Sequence, residues 1–251
     1  MKFAIVIQAR LGSKRLPGKI LKNYQGYNLL TVLISRLKNS KKVKNIIIAT
    51  TKNKKDNQIV NFCKNKSIRC FRGEEKDVLR RYYKAAIKFK IKNIIRITSD
   101  CPFIDIDTLD KMISYFKNNK LDYYSNTYPE PSTFPDGMDI EIFKYKTLKR
   151  ANKLAKLPSE REHVTLFMRR FKKFKIKRYD LKKNISKYRL TIDYAKDFNL
   201  FKKIVQYFGK KVKFVKMSDL ITYLSENPRL IKYQKKIIRN YSLKKDISKE
   251  S

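Results

Sequence analysis

The chain has 251 residues, 42% of them hydrophobic, which is enough for one sizeable domain with a real core and too apolar for a disordered chain. Its 62 Lys and Arg against 22 Asp and Glu leave a net charge of +40. The apolar stretches are too short for a membrane span, and residues 3–7 are too short for a signal-peptide core, so a cytoplasmic protein is expected. Three cysteines without a CxxC pair, and a single histidine, exclude a disulfide framework and a zinc site.

Taken in chain order, short apolar runs alternate with helical patterns. A strand is expected over 3–9, a helix over 29–37, a strand over 45–50, a helix over 57–65 and a strand over 68–71. A helix over 77–88, a strand over 93–98, a helix over 107–117 and a strand over 121–125 follow. Strict alternation with near-continuous apolar strands predicts an α/β fold: a Rossmann-like, mostly parallel sheet with helices on both faces. Such a sheet places ligands at the carboxyl ends of its strands. Near residue 128 the rhythm changes, and Pro129, Pro131, Pro135 and Gly137 crowd one loop before a strand over 138–143, predicting a β-rich insertion or lid over 128–143. Helices over 144–156 and 160–171, strands over 174–179 and 188–192, and helices over 197–208, 217–226 and 229–241 complete the chain, with the last ten residues read as a frayed tail. The expected division is a domain over 1–210 and a C-terminal helical extension over 211–251.

The +40 charge invites a nucleic-acid reading, but 46 of the 62 basic residues are Lys and only 16 are Arg, the better residue for planar phosphate and base contacts. The lysines are spread along the whole chain and accompany Ile, Asn, Tyr and Phe, all served by A/T-rich codons. Compositional drift on solvated faces accounts for them, and no nucleic-acid partner is expected.

Gln8-Ala9-Arg10-Leu11-Gly12-Ser13-Lys14-Arg15-Leu16-Pro17-Gly18-Lys19 follows the first strand directly. A glycine-bearing loop at a strand end offers backbone N–H groups to phosphate oxygens, and Arg10, Arg15 and Lys19 add positive charge, so the loop reads as a polyphosphate cradle. Five residues separate Gly12 from Gly18 and Ile20 follows Lys19, which excludes a Walker P-loop; the G-x-G-x-x-G of dinucleotide cofactors is also absent. Asp100 ends the strand over 93–98, where a carboxylate can hold Mg²⁺ together with substrate phosphate oxygens, and Asp193, after the strand over 188–192, is the candidate second ligand. Helix N-capping is the competing reading of each aspartate.

Together, 8–19, Ala49-Thr50-Thr51, Phe71-Arg72-Gly73, 77–83, Arg96-Ile97-Thr98-Ser99-Asp100-Cys101-Pro102, Pro135-Asp136-Gly137-Met138-Asp139, Glu160-Arg161-Glu162-His163-Val164-Thr165 and 188–198 resemble the SpsF family of spore-coat polysaccharide biosynthesis proteins. These are relatives of the CMP-KDO and acylneuraminate cytidylyltransferases. The resemblance spans roughly 3–208 and implies a glycosyltransferase-A type nucleotidyltransferase that uses CTP and Mg²⁺ as a homodimer. It further implies CMP transfer to an acidic or amino sugar, with release of pyrophosphate, in surface polysaccharide or glycoconjugate biosynthesis.

Carried over by position, Arg10 and Lys19 match residues that grip the triphosphate, with Gly12 and Ser13 between them. Asp100 and Asp193 match the metal-binding aspartates, while Ala9, Thr50 and Arg72 fall where the nucleotide pocket is lined. Arg10, Lys19 and Asp100 are thus the expected catalytic residues. Lys14, Ser99 and Tyr194-Ala195 depart from the usual pattern. Asp136, Asp139, Glu141 and His163 are candidates for contacts to the sugar, and Arg161 and Arg189 for an acceptor carboxylate. Two rivals stay open: a glycosyltransferase, for which Asp105-Ile106-Asp107 has the D-x-D spacing although it falls at a helix start, and a basic nucleic-acid-binding module.

Overall fold

A computed structural model describes residues 2–250. Seven strands form one sheet in the order β3-β2-β1-β4-β6-β5-β7: β1 (Phe3–Gln8), β2 (Ile46–Thr51), β3 (Arg69–Gly73), β4 (Asn93–Thr98), β5 (Tyr123–Ser125), β6 (Glu141–Lys144) and β7 (Ile176–Arg178). The first four are mutually parallel, and β6 runs antiparallel between β4 and β5, so the sheet is mostly parallel. In β1, Phe3, Ile5 and Ile7 enter one apolar core while Ala4 and Val6 enter the other, because side chains alternate across a sheet covered on both faces.

Helices α1 (Leu29–Leu37), α2 (Asn57–Asn65), α3 (Val78–Lys88), α4 (Ile106–Asn118) and α5 (Tyr145–Leu154) return the chain between strands. Asn28, Asp77 and Asp105 cap α1, α3 and α4 by accepting from the backbone N–H of Thr31, Arg80 and Thr108. Asp105 also accepts from the Thr108 hydroxyl and from Met217 N, so its buried carboxylate is spent on capping and the D-x-D spacing marks a helix start. No helix among the described residues is long and apolar enough to cross a membrane.

Five expectations are corrected. The helix expected over 160–171 is two short ones, α6 (Pro158–Glu162) and α7 (Leu166–Arg170), separated by a turn in which Val164 takes φ +59°. That turn buries Val164 and brings the Thr165 hydroxyl to Glu141 at 2.7 Å. The strand expected over 138–143 starts later, at Glu141. Residues 188–192 join no ladder. The Gln234 side chain instead accepts from Arg189 N at 3.0 Å and donates to Arg189 O at 2.7 Å, replacing the partner strand. On the other side Arg189 makes a single bridge to Asp136, where Gly137 takes φ +98° and an added Cβ would come within 2.2 Å of Thr191 N, so only glycine fits.

After α8 (Ala195–Phe208) and α9 (Met217–Glu226), the helix expected over 229–241 is replaced by two 3₁₀ turns, Pro228–Leu230 and Lys232–Lys236. Burial of Gln234 against Arg189 holds this irregular path. The supposed frayed tail is a further helix, α10 (Tyr241–Ser248).

Candidate active site

A cavity of about 550 Å³ opens at the carboxyl ends of β1 and β4, where a parallel sheet leaves a crevice between diverging loops. The loop after β1 forms one wall. Asp56, buried ahead of α2, accepts from Leu11 N at 2.8 Å and from the Thr51 hydroxyl, fixing the loop to β2. Within the loop, Ser13 N and Gly18 N both donate to Leu11 O, at 2.8 and 3.2 Å, and Gly18 takes φ +66°. These bonds curl the loop so that Arg10, Gly12, Ser13, Lys14, Arg15 and Lys19 all line the cavity.

Lys19 is the point of convergence. Its ammonium, nearly buried, donates to Asp193 Oδ1 at 2.8 Å, to Asp100 Oδ2 at 3.1 Å and to Ile192 O at 2.7 Å. Burial alone would lower its pKa, but the two carboxylates outweigh this and hold it above its ordinary value. Burial likewise opposes ionisation of Asp193, yet Lys19 and Arg15 hold that carboxyl well below the usual carboxylate range. Arg15 reaches Asp193 Oδ1 at 2.7 Å and lies over the Tyr194 ring, 5.2 Å from its centroid. The backbone places Asp193 too, because Ile192 N donates to Asp100 O at 2.9 Å and ties the end of β4 to residues 191–193. Asp197 in α8, 1% exposed, accepts from Asp193 N at 2.9 Å and Tyr194 N at 3.0 Å, and Arg189 reaches both Asp193 and Asp197.

Among the described residues no group of three or more His, Cys, Asp or Glu is arranged to hold a metal ion. The donors at this point are the two hard carboxylates of Asp100 and Asp193, one beside the other on Lys19. That set fits a hard divalent cation that takes its remaining ligands from phosphate oxygens and water.

Beyond Asp100 the cavity is lined by Asp136, Asp139 and Glu141. Burial and nearby Asp139 push Asp136 up to about 6, against the pull of Arg189, with which it is paired. Asp139 accepts from Arg239 at 3.1 Å, and burial raises its pKa. Glu141, 2% exposed, accepts from Arg96, from Arg169 at 2.8 Å, from Thr165 Oγ1 at 2.7 Å and from the Tyr123 hydroxyl at 2.5 Å. Burial would raise its pKa, but the two guanidinium groups hold it well below the usual range.

The residues singled out in the sequence therefore divide. Ala9, Arg10, Gly12, Ser13, Lys19, Asp100, Asp136, Asp139, Glu141, His163 and Asp193 share one cavity. Three do not line it. Thr50 is fully buried inside β2; Arg72 donates to Thr51 O, Asn53 O and Asn57 Oδ1; and Arg161 is held by Asp77 at 3.0 and 2.5 Å and by Asn152 O at 2.9 Å, joining α6 to α3. Arg189 does line it, but its guanidinium is taken up by Asp136, Asp193 and Asp197. His163 Nε2 lies 2.9 Å from Asp246 Oδ2 of α10, and Arg15 donates to Ser242 Oγ at 3.0 Å, so the C-terminal helix lies across the cavity mouth. Sequence reasoning missed Arg81, Arg96 and Arg169 as cavity residues, and Asp56 and Asp197 as the groups that position the loop and Asp193. Only the Tyr194…Asp197 spacing at a helix start, that of an N-cap and its N3 residue, signalled one of them.

A family model described as cytidylyltransferase matches residues 4–243. The chain belongs to the cytidylyltransferase family. The match reaches from β1 to Leu243, so in this cytidylyltransferase it takes in the glycine-bearing loop, Asp100, Asp193 and the start of the helix across the mouth. The chain is 34% identical over 231 residues to the spore coat polysaccharide biosynthesis protein SpsF of Bacillus subtilis, covering 89% of this chain and 94% of that protein. It is 38% identical to a cytidylyltransferase of Leptospira borgpetersenii whose solved structure superposes with a TM-score of 0.86, over 92% of this chain and 97% of that one. A CMP:2-keto-3-deoxy-manno-octonic acid synthetase solved with CTP is 15% identical with a TM-score of 0.64, over 82% of this chain and 99% of that one, and shares the fold. The chain is thus a nucleotidyltransferase of the cytidylyltransferase type.

Proposed function

We propose that this protein transfers CMP from CTP to an oxygen of an acidic or amino sugar derivative, releasing pyrophosphate, in the synthesis of a surface polysaccharide or glycoconjugate. The observation that carries the reading is the convergence of Lys19, Asp100 and Asp193 at the end of a glycine-bearing loop with Arg10 and Arg15 beside it. A polyphosphate laid along that loop meets backbone N–H groups and cations at one end and carboxylates at the other. The Bacillus relative's role in spore-coat polysaccharide synthesis and the synthetase solved with CTP support the choice of sugar and nucleotide.

In this reading the sugar oxygen attacks the α-phosphorus in line with the departing pyrophosphate. Such transfer depends on positioning and charge neutralisation more than on covalent chemistry by the protein. Arg10 holds the triphosphate, with Gly12 and Ser13 as the backbone cradle, and the ammonium of Lys19, its three N–H donors spent on Asp100, Asp193 and Ile192 O, stabilises charge on the leaving pyrophosphate through its field. Mg²⁺ held by Asp100 and Asp193 would supply further charge neutralisation at the phosphates. Asp136, Asp139, Glu141 and His163 lie on the acceptor side, and the working form is a homodimer.

Capping by Asp105 removes the motif on which a glycosyltransferase reading depended. The experiment is a screen of the purified protein with each of the four nucleoside triphosphates or a panel of nucleotide sugars, Mg²⁺ and a panel of sugar acids and amino sugars, monitoring pyrophosphate and nucleoside diphosphate. Release with CTP and one acceptor class is expected. A nucleoside diphosphate formed from a nucleotide sugar, without pyrophosphate release, would overturn the reading.

A further inference from the structure

Helix α10 crosses the cavity mouth without a core of its own. It has 8 residues, none of them buried and none in either apolar core, and no side chain caps its start. A helix this short is marginal unless an apolar face packs it down, so α10 belongs to the low-stability end of the molecule, where segments open locally. The chain just before it is held differently. Buried Gln234 is bonded in both directions to the backbone of Arg189, and Arg239 donates to Phe134 O at 2.9 Å and to Asp139 Oδ1 at 3.1 Å. Between this anchor and the helix stands Asn240 at φ +57°, a left-handed conformation that Asn tolerates and that turns the chain sharply.

Polar contacts tie α10 down. Arg15 donates to Ser242 Oγ at 3.0 Å, and His163 Nε2 lies 2.9 Å from Asp246 Oδ2. Just past the helix, Glu250 accepts from Ser159 N at 2.6 Å and from the Ser159 hydroxyl. Contacts of this kind at a surface exchange readily with water and add little each. On the inner side, Ile238 and Tyr241 line the cavity yet are 58% and 50% exposed, large apolar surface that a ligand in the cavity would cover. Arg15 also belongs to the glycine-bearing loop and reaches Asp193, so the side chain at the polyphosphate end of the cavity is the one that holds the start of α10.

We propose that α10 is a gate on the active site: it swings about Asn240 to admit the nucleotide and returns over it, with Asp246 and Glu250 as the latch. This rests on the nucleotidyl-transfer reading of the cavity and adds the step that governs entry and release. A gate shut over a triphosphate keeps water from the α-phosphorus while the acceptor is in place.

The chain contains no tryptophan, so Tyr241→Trp places a single one on the gate. In that background, with and without Asp246→Ala and Glu250→Ala to remove the latch, stopped-flow fluorescence follows CTP binding to the full chain with Mg²⁺ and no acceptor. Alanine favours helix, so the added changes loosen the latch and not the helix itself. Without the latch the association and dissociation rate constants should both rise, by roughly three- to tenfold, because both passages go through the open state. Faster dissociation with unchanged association makes α10 a fixed wall that touches the nucleotide and overturns the gate, and so do two unchanged rate constants.

Hydrogen exchange gives a readout that needs no nucleotide. Amides of 241–250 should exchange well ahead of those of α8, faster still without the latch, and more slowly when CTP is bound to wild type. Exchange in 241–250 as slow as in α8 and unaffected by the latch overturns the gate, whatever binds. Wild type that binds no nucleotide overturns the transfer reading, whereas wild type that binds CTP with no change of exchange in 241–250 overturns only the gate.

Discussion

The ammonium of Lys19 lies 2.8 Å from Oδ1 of Asp193, joining the loop after β1 to a segment 174 residues away in sequence. Asp100 completes the contact from the end of β4, so one cation holds two buried or half-buried carboxylates together. Lys19→Met removes that cation and leaves the carboxylates facing each other. Breaking a buried pair from one side costs on the order of 2–4 kcal/mol, and the variant should lose about that much in urea unfolding while also losing pyrophosphate release.

Glu141 anchors the floor of the acceptor side. Glu141→Gln leaves Arg96 and Arg169 buried without their counter-ion and should cost about 3–5 kcal/mol, read as a fall in the denaturant midpoint. Because the folded pKa of Glu141 is depressed, its stabilisation is present above the unfolded value near 4 and is lost as pH falls below it.

Asp136 works in the opposite sense. Its folded pKa of about 6 lies above the unfolded value, so ionisation destabilises the fold above pH 6 and the penalty is relieved as pH falls from about 7 toward 4. Relative to Asp136→Asn, wild type should therefore gain on the order of 1–3 kcal/mol between pH 8 and pH 5. Parallel stability curves for the two proteins over that range would contradict the environment described for this carboxyl.

The phosphate loop depends on Asp56. Asp56→Ala frees Leu11 N and the Thr51 hydroxyl, at a stability cost of about 1–3 kcal/mol for the unpaired buried donors. The effect on function should be an increased KM for CTP with a smaller change in kcat, since the cradle is loosened while Lys19 and Asp100 are untouched. Steady-state kinetics separate the two.

Much of this arrangement is legible in the sequence. Helices over 29–37 and 57–65 have the bounds their apolar spacing dictates, and the loop of 8–19 and Asp100 sit at strand ends, where an α/β sheet concentrates its chemistry. What is not legible depends on contacts made at long range. Residues 188–192 read as a strand because they are apolar and extended, but the Gln234 side chain takes the place of a neighbouring strand. Thr50 and Arg72 occupy strand ends, as expected of pocket residues, yet one is inside the sheet and the other is spent on the β2–α2 loop. Arg81 reads as one more basic residue in a chain of net charge +40; its place in the cavity becomes visible only when α3 is packed against β3.

The charge itself takes a narrower meaning. Arg10, Lys14, Arg15 and Lys19 face the cavity, while most lysines are solvated, so high charge serves at most to steer anionic substrates toward the mouth, an effect that salt weakens.

The most direct test of the central claim is pyrophosphate release from CTP, with Mg²⁺ and the acceptor found in the screen, by Asp100→Asn beside wild type. Asp100 is partly exposed and Lys19 keeps Asp193, so the variant should fold. A fall of roughly a hundredfold or more in turnover with an unchanged circular dichroism spectrum is the expected result, comparable with losing a main electrostatic stabiliser. Near-normal turnover by the folded variant would contradict the account.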